Sequence, residues 1–298
     1  MKDAVILGAG PAGALAAIYL KRYGLDIELI EKSFVGGQAA ITNEIENFLG
    51  FPIIDGAQLS YNITKQLKNL GVKPVTDDII SVDLKNDIKT INGKKNEYQA
   101  KAVVIATGAR RRKLNVKGED EFYGKGVSYC ATCDGNFYKN KIVAVTGGGN
   151  TALEEALYLS NICEKVYLIH RREEFKGYPS LEKRVREKEN IVILLSSQIK
   201  EIFGDEKVSK ILIDNGVEQK ETDVSAVFIA IGTIPNSEIF DLEKTQNGEI
   251  ITDERMKCSE NGVFACGDVR NTVLKQIITA ASDGAIAAES VMKYLMEK

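Results

Sequence analysis

The chain has 298 residues, 44% apolar and 27% charged, with 26 Gly, 5 Pro and a formal net charge of −3. That is the composition of a globular protein with room for one large or two ordinary domains. The slightly acidic balance excludes a general nucleic-acid binder, and no apolar run reaches membrane-spanning length. Met1-Lys2-Asp3 leads straight into a strand without room for a signal peptide, so a cytoplasmic protein is expected.

Ala4-Val-Ile-Leu7 is a short apolar strand, followed at once by Gly8-Ala9-Gly10-Pro11-Ala12-Gly13. A helix over 14–23 is ended by Gly24, and a second strand over 26–30 finishes at Glu31. Glycines at this spacing between strand and helix, with an acid closing the next strand, make a dinucleotide-binding turn. Gly8 permits the tight turn, Gly10 lets backbone approach a pyrophosphate, and Gly13 lets helix and strand pack closely. The helix N-terminus faces the phosphate charge, and Glu31 is placed to accept from ribose hydroxyls.

Gly36-Gly37-Gln38 and residues 43–51 are read as a loop. Asp55 is predicted to cap a helix over 56–70, and two or three strands occupy 72–99 with a turn at Asn92-Gly93. Ala102-Val-Val-Ile-Ala106 is a buried strand with a glycine exit, Thr107-Gly108. The basic run Arg110-Arg111-Arg112-Lys113 beyond it is read as a solvated linker between domains.

Of five cysteines, only Cys130 and Cys133 are paired; Cys163, Cys258 and Cys266 read as small buried hydrophobes. A zinc site needs a second ligand pair that the sequence lacks, which leaves two inert thiols or a redox disulfide. The redox reading is the stronger: the flanks are polar, and a cytoplasmic Cys-x-x-Cys disulfide is usually catalytic. Asp134, beside Cys133, is suited to moving a proton to or from a departing thiolate.

Beyond the cysteines the opening unit repeats. Lys141-Ile-Val-Ala-Val145 leads to Gly147-Gly148-Gly149-Asn150-Thr151-Ala152, then a helix over 153–161 and a strand over 165–169. Gly8 to Glu31 and Gly147 to His170 both span 23 positions, so His170 stands where Glu31 stands. An acid there suits a free ribose hydroxyl, whereas a 2′-phosphate calls for positive charge. Arg171 and Arg172 supply guanidinium forks and Lys176 a third cation, so the second turn reads as an NADPH site. His170, the only histidine, reads as a binding or orienting residue rather than a base, and no metal site is expected.

Val227-Phe-Ile-Ala230 with Ile231-Gly232-Thr233 mirrors the earlier strand with its glycine exit, and Pro235-Asn236 opens a return crossing. Gly262-Val-Phe-Ala-Cys-Gly-Asp268-Val269 is a strand-to-loop turn. A long helix over 275–294 follows, with a small-residue face of Ala280, Ala281, Gly284 and Ala288. The expected fold class is α/β, with two Rossmann-like three-layer domains, the second inserted into the first. The first covers 1–114 and 240–298, the second 115–239.

These motifs, above all Gly126-Val-Ser-Tyr-Cys-Ala-Thr-Cys-Asp-Gly135 together with Gly36-Gly-Gln38, Thr107-Gly108, His170-Arg-Arg172 and Gly267-Asp268, closely resemble those of the low-molecular-weight thioredoxin reductases. The resemblance spans nearly the whole length. It implies a homodimer with FAD on the discontinuous domain, held by Gly8, Gly10, Pro11, Ala12, Gly13, Glu31, Gly37, Gln38, Asn47, Thr107, Gly108, Gly267, Asp268, Lys275, Gln276 and Ile277. It implies NADPH on the inserted domain, held by Gly149, Asn150, Thr151, His170, Arg171, Arg172, Lys176 and Gly232. Cys133 would be the flavin-proximal sulfur, Cys130 the one that attacks the disulfide of thioredoxin or a thioredoxin-like protein, and Asp134 the acid–base group. In this family the inserted domain rotates, which puts the expected hinges near Leu114 and Phe240.

The chain departs from the family pattern where Lys176 and Lys275 replace arginines, giving point charges without a fork. Pro179 is expected to disturb a helix there. Alternatives to NADPH-dependent thioredoxin reduction are a ferredoxin-linked flavin thioredoxin reductase and a non-enzymatic flavin-binding redox sensor.

Overall fold

A computed structural model of the chain describes residues 1–42 and 45–298. Asn43, the first residue of the predicted loop over 43–51, lies outside the described residues, as does Glu44. The chain opens with β1 (Lys2–Leu7), α1 (Pro11–Arg22), β2 (Ile27–Glu31) and α2 (Gly56–Asn69). Then come β3 (Val75–Thr76), β4 (Ile79–Asp83), β5 (Lys89–Gly93) and β6 (Glu97–Ile105), before the short β7 (Ala109–Arg111). The middle holds β8 (Val127–Ser128), α3 (Ala131–Asp134), β9 (Ile142–Thr146), α4 (Asn150–Ser160), β10 (Lys165–Ile169) and α5 (Pro179–Arg186). It continues with β11 (Ile191–Leu194), β12 (Gln198–Gly204), β13 (Val208–Asp214), β14 (Gln219–Asp223) and β15 (Ala226–Ile229). The short β16 (Thr233–Pro235), β17 (Val263–Ala265) and α6 (Ile277–Met296) complete the chain.

Two compact units result, one formed by Met1–Arg110 with Ile234–Lys298 and the other by Arg111–Thr233. The chain thus passes between them at 110/111 and 233/234, within β7 and β16, where the sequence suggested 114 and 240. Phe240 itself is buried in the core of the first unit.

In the first unit the sheet runs β3-β2-β1-β6-β5-β4, with β17 also on β6. β1, β2, β3, β6 and β17 pair in parallel, while β4 and β5 are antiparallel. Side chains alternate across the sheet. Ala4 and Ile6 of β1, with Ala102 and Val104 of β6, face α1 and α6. Val5, Leu7, Val103 and Ile105 face the opposite core, which holds Phe240, Ile250 and Cys258. The small face of α6 lets it lie directly on α1: a Cβ at Gly284 would sit 2.1 Å from the Ala12 carbonyl oxygen. Ala280, Gly284 and Ala288 are buried as that face requires, joined by Ala287, whereas Ala281 is only half-buried.

Asp55 caps α2 as its sequence suggests, accepting from the Gln58 N–H at 2.7 Å. Asp55→Ala is expected to lower stability by about 1 kcal/mol, seen as a lower urea midpoint at constant slope. An unchanged midpoint would show that water replaces the cap.

The turn predicted at Asn92-Gly93 is displaced. Both residues belong to β5, and the chain reverses just after them, where Gly93 N–H donates to Asn96 O. The cause is Asp77, whose buried carboxylate accepts from the Lys95 and Asn96 N–H groups and from the Tyr98 hydroxyl. An acid in the preceding strand end therefore fixes where the hairpin reverses.

The second unit has an all-parallel sheet, β11-β10-β9-β15-β8. Val143, Val145, Val166, Leu168 and Phe228 face α4 on one side. Ala144, Ile169, Val227 and Ile229 face the antiparallel sheet β12-β13-β14 on the other, which gives three layers. Pro179 does not disturb a helix; it begins α5. At the first helical position its missing N–H has no intrahelical partner to lose and its fixed φ is already suitable.

Cys163, Cys258 and Cys266 are free and buried, as expected. Burial pushes the Cys163 thiol up to about 11 and the Cys258 thiol up to about 12. Those thiols stay protonated at neutral pH and are poor nucleophiles. Among the described residues no helix is long and apolar enough to cross a membrane.

Candidate active site

In the first unit, Gly8 adopts φ +102°, and a Cβ there would lie 2.4 Å from Ala106 O; one at Gly13 would lie 1.9 Å from Gly8 O. A Cβ at Gly10 would meet nothing within 4 Å. Two glycines thus pack the turn against the sheet while the middle one fronts open space. Gly37 stands beside Gly10, its Cβ position 3.3 Å from that Cα, and Gly36 N–H donates to Ala9 O. Pro11 and Ala12 start α1, and Gly267 comes against Ala12. Glu31 bridges the turn, accepting from the Ala9 N–H at 2.7 Å and the Ser33 N–H at 2.8 Å.

Further first-unit residues gather around this turn. Thr107 and Gly108 are locked to Asn236: the Thr107 hydroxyl donates to Asn236 O, and the Asn236 amide donates back to Thr107 O. Gln38 donates to Ala109 O. Asn47 and Gln276, 229 positions apart, meet through an amide hydrogen bond of 2.9 Å. Gln276 also caps α6 in a reciprocal box with Thr279, with Ile277 as the first helical residue. Asp268 is half-buried, and its partial loss of solvent raises the carboxyl above its ordinary value against the pull of Lys275. Lys275 is itself paired to Glu249 at 2.8 Å.

The sequence reading missed Asp283, which lies in the middle of α6. Its carboxylate accepts from Gly267 N–H at 3.1 Å and from Arg270 Nε at 2.8 Å, so it holds the Gly267-Asp268 turn from below. A charged residue within an otherwise apolar helix face was the available signal.

The second turn repeats the first. A Cβ at Gly147 would lie 2.2 Å from Ala230 O, as one at Gly8 would meet Ala106 O, and Gly149 fronts open space as Gly10 does. Asn150 and Thr151 open α4, and Gly232 follows the β15 strand at φ +92°. The His170 ring lies against Gly148, where any Cβ would collide with it at 2.2 Å. It stacks on Phe175 with centroids 5.6 Å apart, and Nε2 is 3.1 Å from Glu174 O. Burial, with Arg172, Arg171 and Lys176 nearby, holds the imidazole below its ordinary pKa, so it is neutral near pH 7. Those three cations are exposed, and among the described residues none has an ion-pair partner. Lys176 N–H donates to Gly148 O and Tyr178 N–H to Asn150 Oδ1, fastening the cationic loop to the turn.

The two cysteines of this unit are joined as a Cys130–Cys133 disulfide at the start of the single-turn α3. Cys133 and Asp134 donate their N–H groups to Cys130 O. Ser128, unforeseen from sequence, organises the acid: its hydroxyl donates to Asp134 Oδ2 at 2.6 Å and accepts from Cys130 N–H. Burial raises the Asp134 carboxyl, opposed by the Ser128 hydrogen bond and the Arg111 charge. Gly135 is required because a Cβ would meet Tyr158 of α4 at 2.9 Å.

The basic run lies where the chain passes from the first unit to the second, and Arg110, Arg112 and Lys113 are exposed as expected of a linker, but three of its four cations have partners. Arg110 binds Asn236 and Glu238, and Lys113 binds Asp120 at 2.6 Å. Arg111 lies over the rings of Tyr123 and Tyr129 at 5.1 and 4.9 Å. Tyr129 in turn donates to Glu119, a buried acid that also accepts from two backbone N–H groups. Two tyrosines and two acids, one of them 128 positions away, partner Arg110, Arg111 and Lys113.

A turn that binds a nucleotide, repeated beside a disulfide with a half-buried acid, is a chemistry shared with known proteins. The model of the pyridine nucleotide-disulphide oxidoreductases matches residues 2–284. The thioredoxin reductase of Listeria innocua is 40% identical over 300 residues, 99% of this chain and 94% of that protein. That of Bacillus subtilis is 40% identical over 99% of this chain and 95% of its own length. The solved thioredoxin reductase of Streptococcus pyogenes is 38% identical, covers 100% of this chain and 99% of its own, and superimposes with a TM-score of 0.92. With its two glycine turns and the disulfide between them, the chain belongs to the pyridine nucleotide-disulphide oxidoreductase family, among the thioredoxin reductases.

Proposed function

We propose that the protein reduces the disulfide of thioredoxin or a thioredoxin-like protein, with NADPH as donor and FAD and the Cys130–Cys133 disulfide as carriers. The observation that carries this reading is the Cys130–Cys133 ring, closed beside the half-buried Asp134 on the same unit as a glycine turn with three cations that have no ion-pair partner among the described residues. The first unit is the FAD domain and the second the NADPH domain.

The cradles fit these groups. The first turn leaves open space only in front of Gly10, where a pyrophosphate would meet backbone N–H groups at the start of α1. Glu31 retains lone pairs for ribose hydroxyls beyond those given to Ala9 and Ser33. Gln38, Asn47, Asp268 and Gln276 supply polar groups for the rest of the flavin nucleotide. In the second turn Gly149 fronts the open space, and a neutral His170 with Arg171, Arg172 and Lys176 replaces the single acid. That exchange of charge favours a phosphorylated ribose.

Bound flavin supplies the exchange between hydride donor and disulfide. The chain contributes the rest. Ser128 orients Asp134, placing it to exchange a proton with the sulfur released when the disulfide opens, and burial raises its carboxyl above the ordinary value. Cys133 is the sulfur next to the flavin and Cys130 the sulfur that attacks the partner's disulfide. A cytoplasmic homodimer is the assembly we infer. Its support is the apolar side chains of Leu49, Ile53, Val273 and Leu274, left exposed on the first unit.

Anaerobic titration of the flavin absorbance tests the donor. NADPH is expected to bleach it at roughly tenfold or more lower concentration than NADH. Bleaching by reduced ferredoxin with none by NADPH would overturn the reading and favour the ferredoxin-linked one, to which Lys176 and Lys275 in place of forked arginines would then be relevant.

A further inference from the structure

The redox turn has a second acid that the mechanism above does not use. Glu155 projects from α4, which packs on α3. Its Oε1 lies 3.3 Å from the N–H of Ala131, the residue immediately after Cys130 in the disulfide ring. Its Oε2 is buried and, among the described residues, has no hydrogen-bond partner. A carboxylate with a buried, unpartnered oxygen is costly, while a neutral carboxylic acid is far cheaper in the same place. The charged groups acting on it only add to that cost: Asp134 from α3 and Glu154 beside it on α4 are both acids. No cation from α5, β9 or β10 acts on it among the described residues. Arg111, the cation of this region, acts on Asp134 instead. Burial, with those like charges, pushes the Glu155 carboxyl up to about 7.

We propose that Glu155 is a positioning residue of the redox centre, which holds the Cys-x-x-Cys turn through the Ala131 N–H and, in its protonated form, adds no charge beside it. By staying neutral it keeps a second negative charge away from the sulfurs while Asp134 exchanges the proton. The inference rests on the disulfide-reductase reading. In the step concerned the Cys130–Cys133 bond breaks and two electrons arrive from the reduced flavin, which is oxidised. One sulfur takes the proton of Asp134 and leaves as a thiol, the other remains a thiolate, and the proton given up by the oxidised flavin returns to Asp134 or to solvent. A thiolate at Cys130 forms one residue from the Ala131 N–H that Glu155 holds. If Glu155 were ionised as well, the two charges would repel across a partly desolvated gap, and the thiolate would be disfavoured.

The sign with pH follows. Well below pH 7 Glu155 is neutral, and glutamine mimics it. Above pH 7 the parent's Glu155 is charged and raises the neighbouring thiol pKa, whereas the Glu155→Gln variant does not. The test uses the purified full chain with its flavin, reduced by dithiothreitol and freed of excess reductant, with the rate of iodoacetamide alkylation of Cys130 followed across pH. The ratio of the Glu155→Gln rate to the parent rate should be near one at pH 5.5 and rise to roughly three- to tenfold by pH 8. The same rise should survive in an Asp134→Asn background, which assigns the titration to Glu155. A ratio that stays flat with pH in both backgrounds would overturn the proposal and leave Glu155 a purely structural contact. If the Gln variant does not fold, the infrared band of a protonated carboxyl in the parent serves instead. It should be present at pH 6 and bleach as the pH passes 7; its absence at pH 6 would overturn the proposal equally. Neither readout needs NADPH or thioredoxin, so a failure to reduce thioredoxin would sink the enzyme reading without touching this result.

Discussion

Serine at Cys130 or at Cys133 is expected to abolish thioredoxin reduction while leaving the flavin fully reducible by NADPH. The two halves of that result have separate causes. Disulfide exchange needs both sulfurs, one to attack and one to resolve, and a hydroxyl at neutral pH is a negligible substitute for a thiolate. The loss should therefore exceed about a thousandfold, down to the background of the assay. Flavin reduction, by contrast, depends on the two glycine turns, and neither turn includes a cysteine. The backbone of the redox turn should also survive. It is held by the Cys133 and Asp134 N–H groups on Cys130 O, by Ser128 on Cys130 N–H, and by the packing of Gly135 on α4. None of these contacts involves sulfur. Turnover with thioredoxin and anaerobic bleaching with NADPH, measured on the same preparation, check both halves. Retention of more than about a hundredth of the parent turnover in Cys130→Ser would remove Cys130 from the exchange, because residual catalysis at that level is too high for a missing nucleophile.

The sequence shows these sulfurs easily, because their chemistry is carried by adjacent residues. The same is true of both glycine turns, whose spacing is a local requirement of strand, turn and helix. The common register of Glu31 and His170 follows from two copies of one local unit. What the sequence hides is whatever is completed by a distant segment. Asp77 moves a hairpin turn by collecting N–H groups from residues 95 and 96, and nothing near Asn92-Gly93 announces it. The run from Arg110 to Lys113 reads correctly as an exposed linker, but nothing in it announces that Tyr123, Tyr129, Asp120 and Glu238 partner three of its cations. Pro179 looks like a helix breaker because its place as the first residue of α5 depends on where the preceding loop docks on Asn150. Glu155 belongs to the redox centre only because α4 brings it to α3. In each case the missing information is a long-range contact, which no periodicity or spacing encodes.

The cationic corner of the second turn lends itself to a decisive measurement. Arg171→Ala with Arg172→Ala is expected to raise the KM for NADPH about a hundredfold, leaving kcat and the KM for NADH nearly unchanged. Hydrogen bonds from a guanidinium to phosphate contribute about 1.5–3 kcal/mol each. Both side chains are exposed, so the lower figure applies and the pair together gives about 3 kcal/mol, or two powers of ten. Folding should not suffer, since neither guanidinium has an ion-pair partner among the described residues. A second readout ties the effect to geometry rather than to a general loss. Both arginines depress the pKa of His170, so their removal should raise it, with burial still holding it below the ordinary value. As the single histidine of the chain, His170 gives an unambiguous proton-resonance titration. A rise in its pKa with equal loss of NADPH and NADH would mean that the corner holds the dinucleotide generally and does not read the 2′-phosphate. A rise in its pKa with no change for either nucleotide would separate the cationic corner from the donor altogether. In that case the unpaired charges beside the second turn would have to be assigned to some other anionic partner.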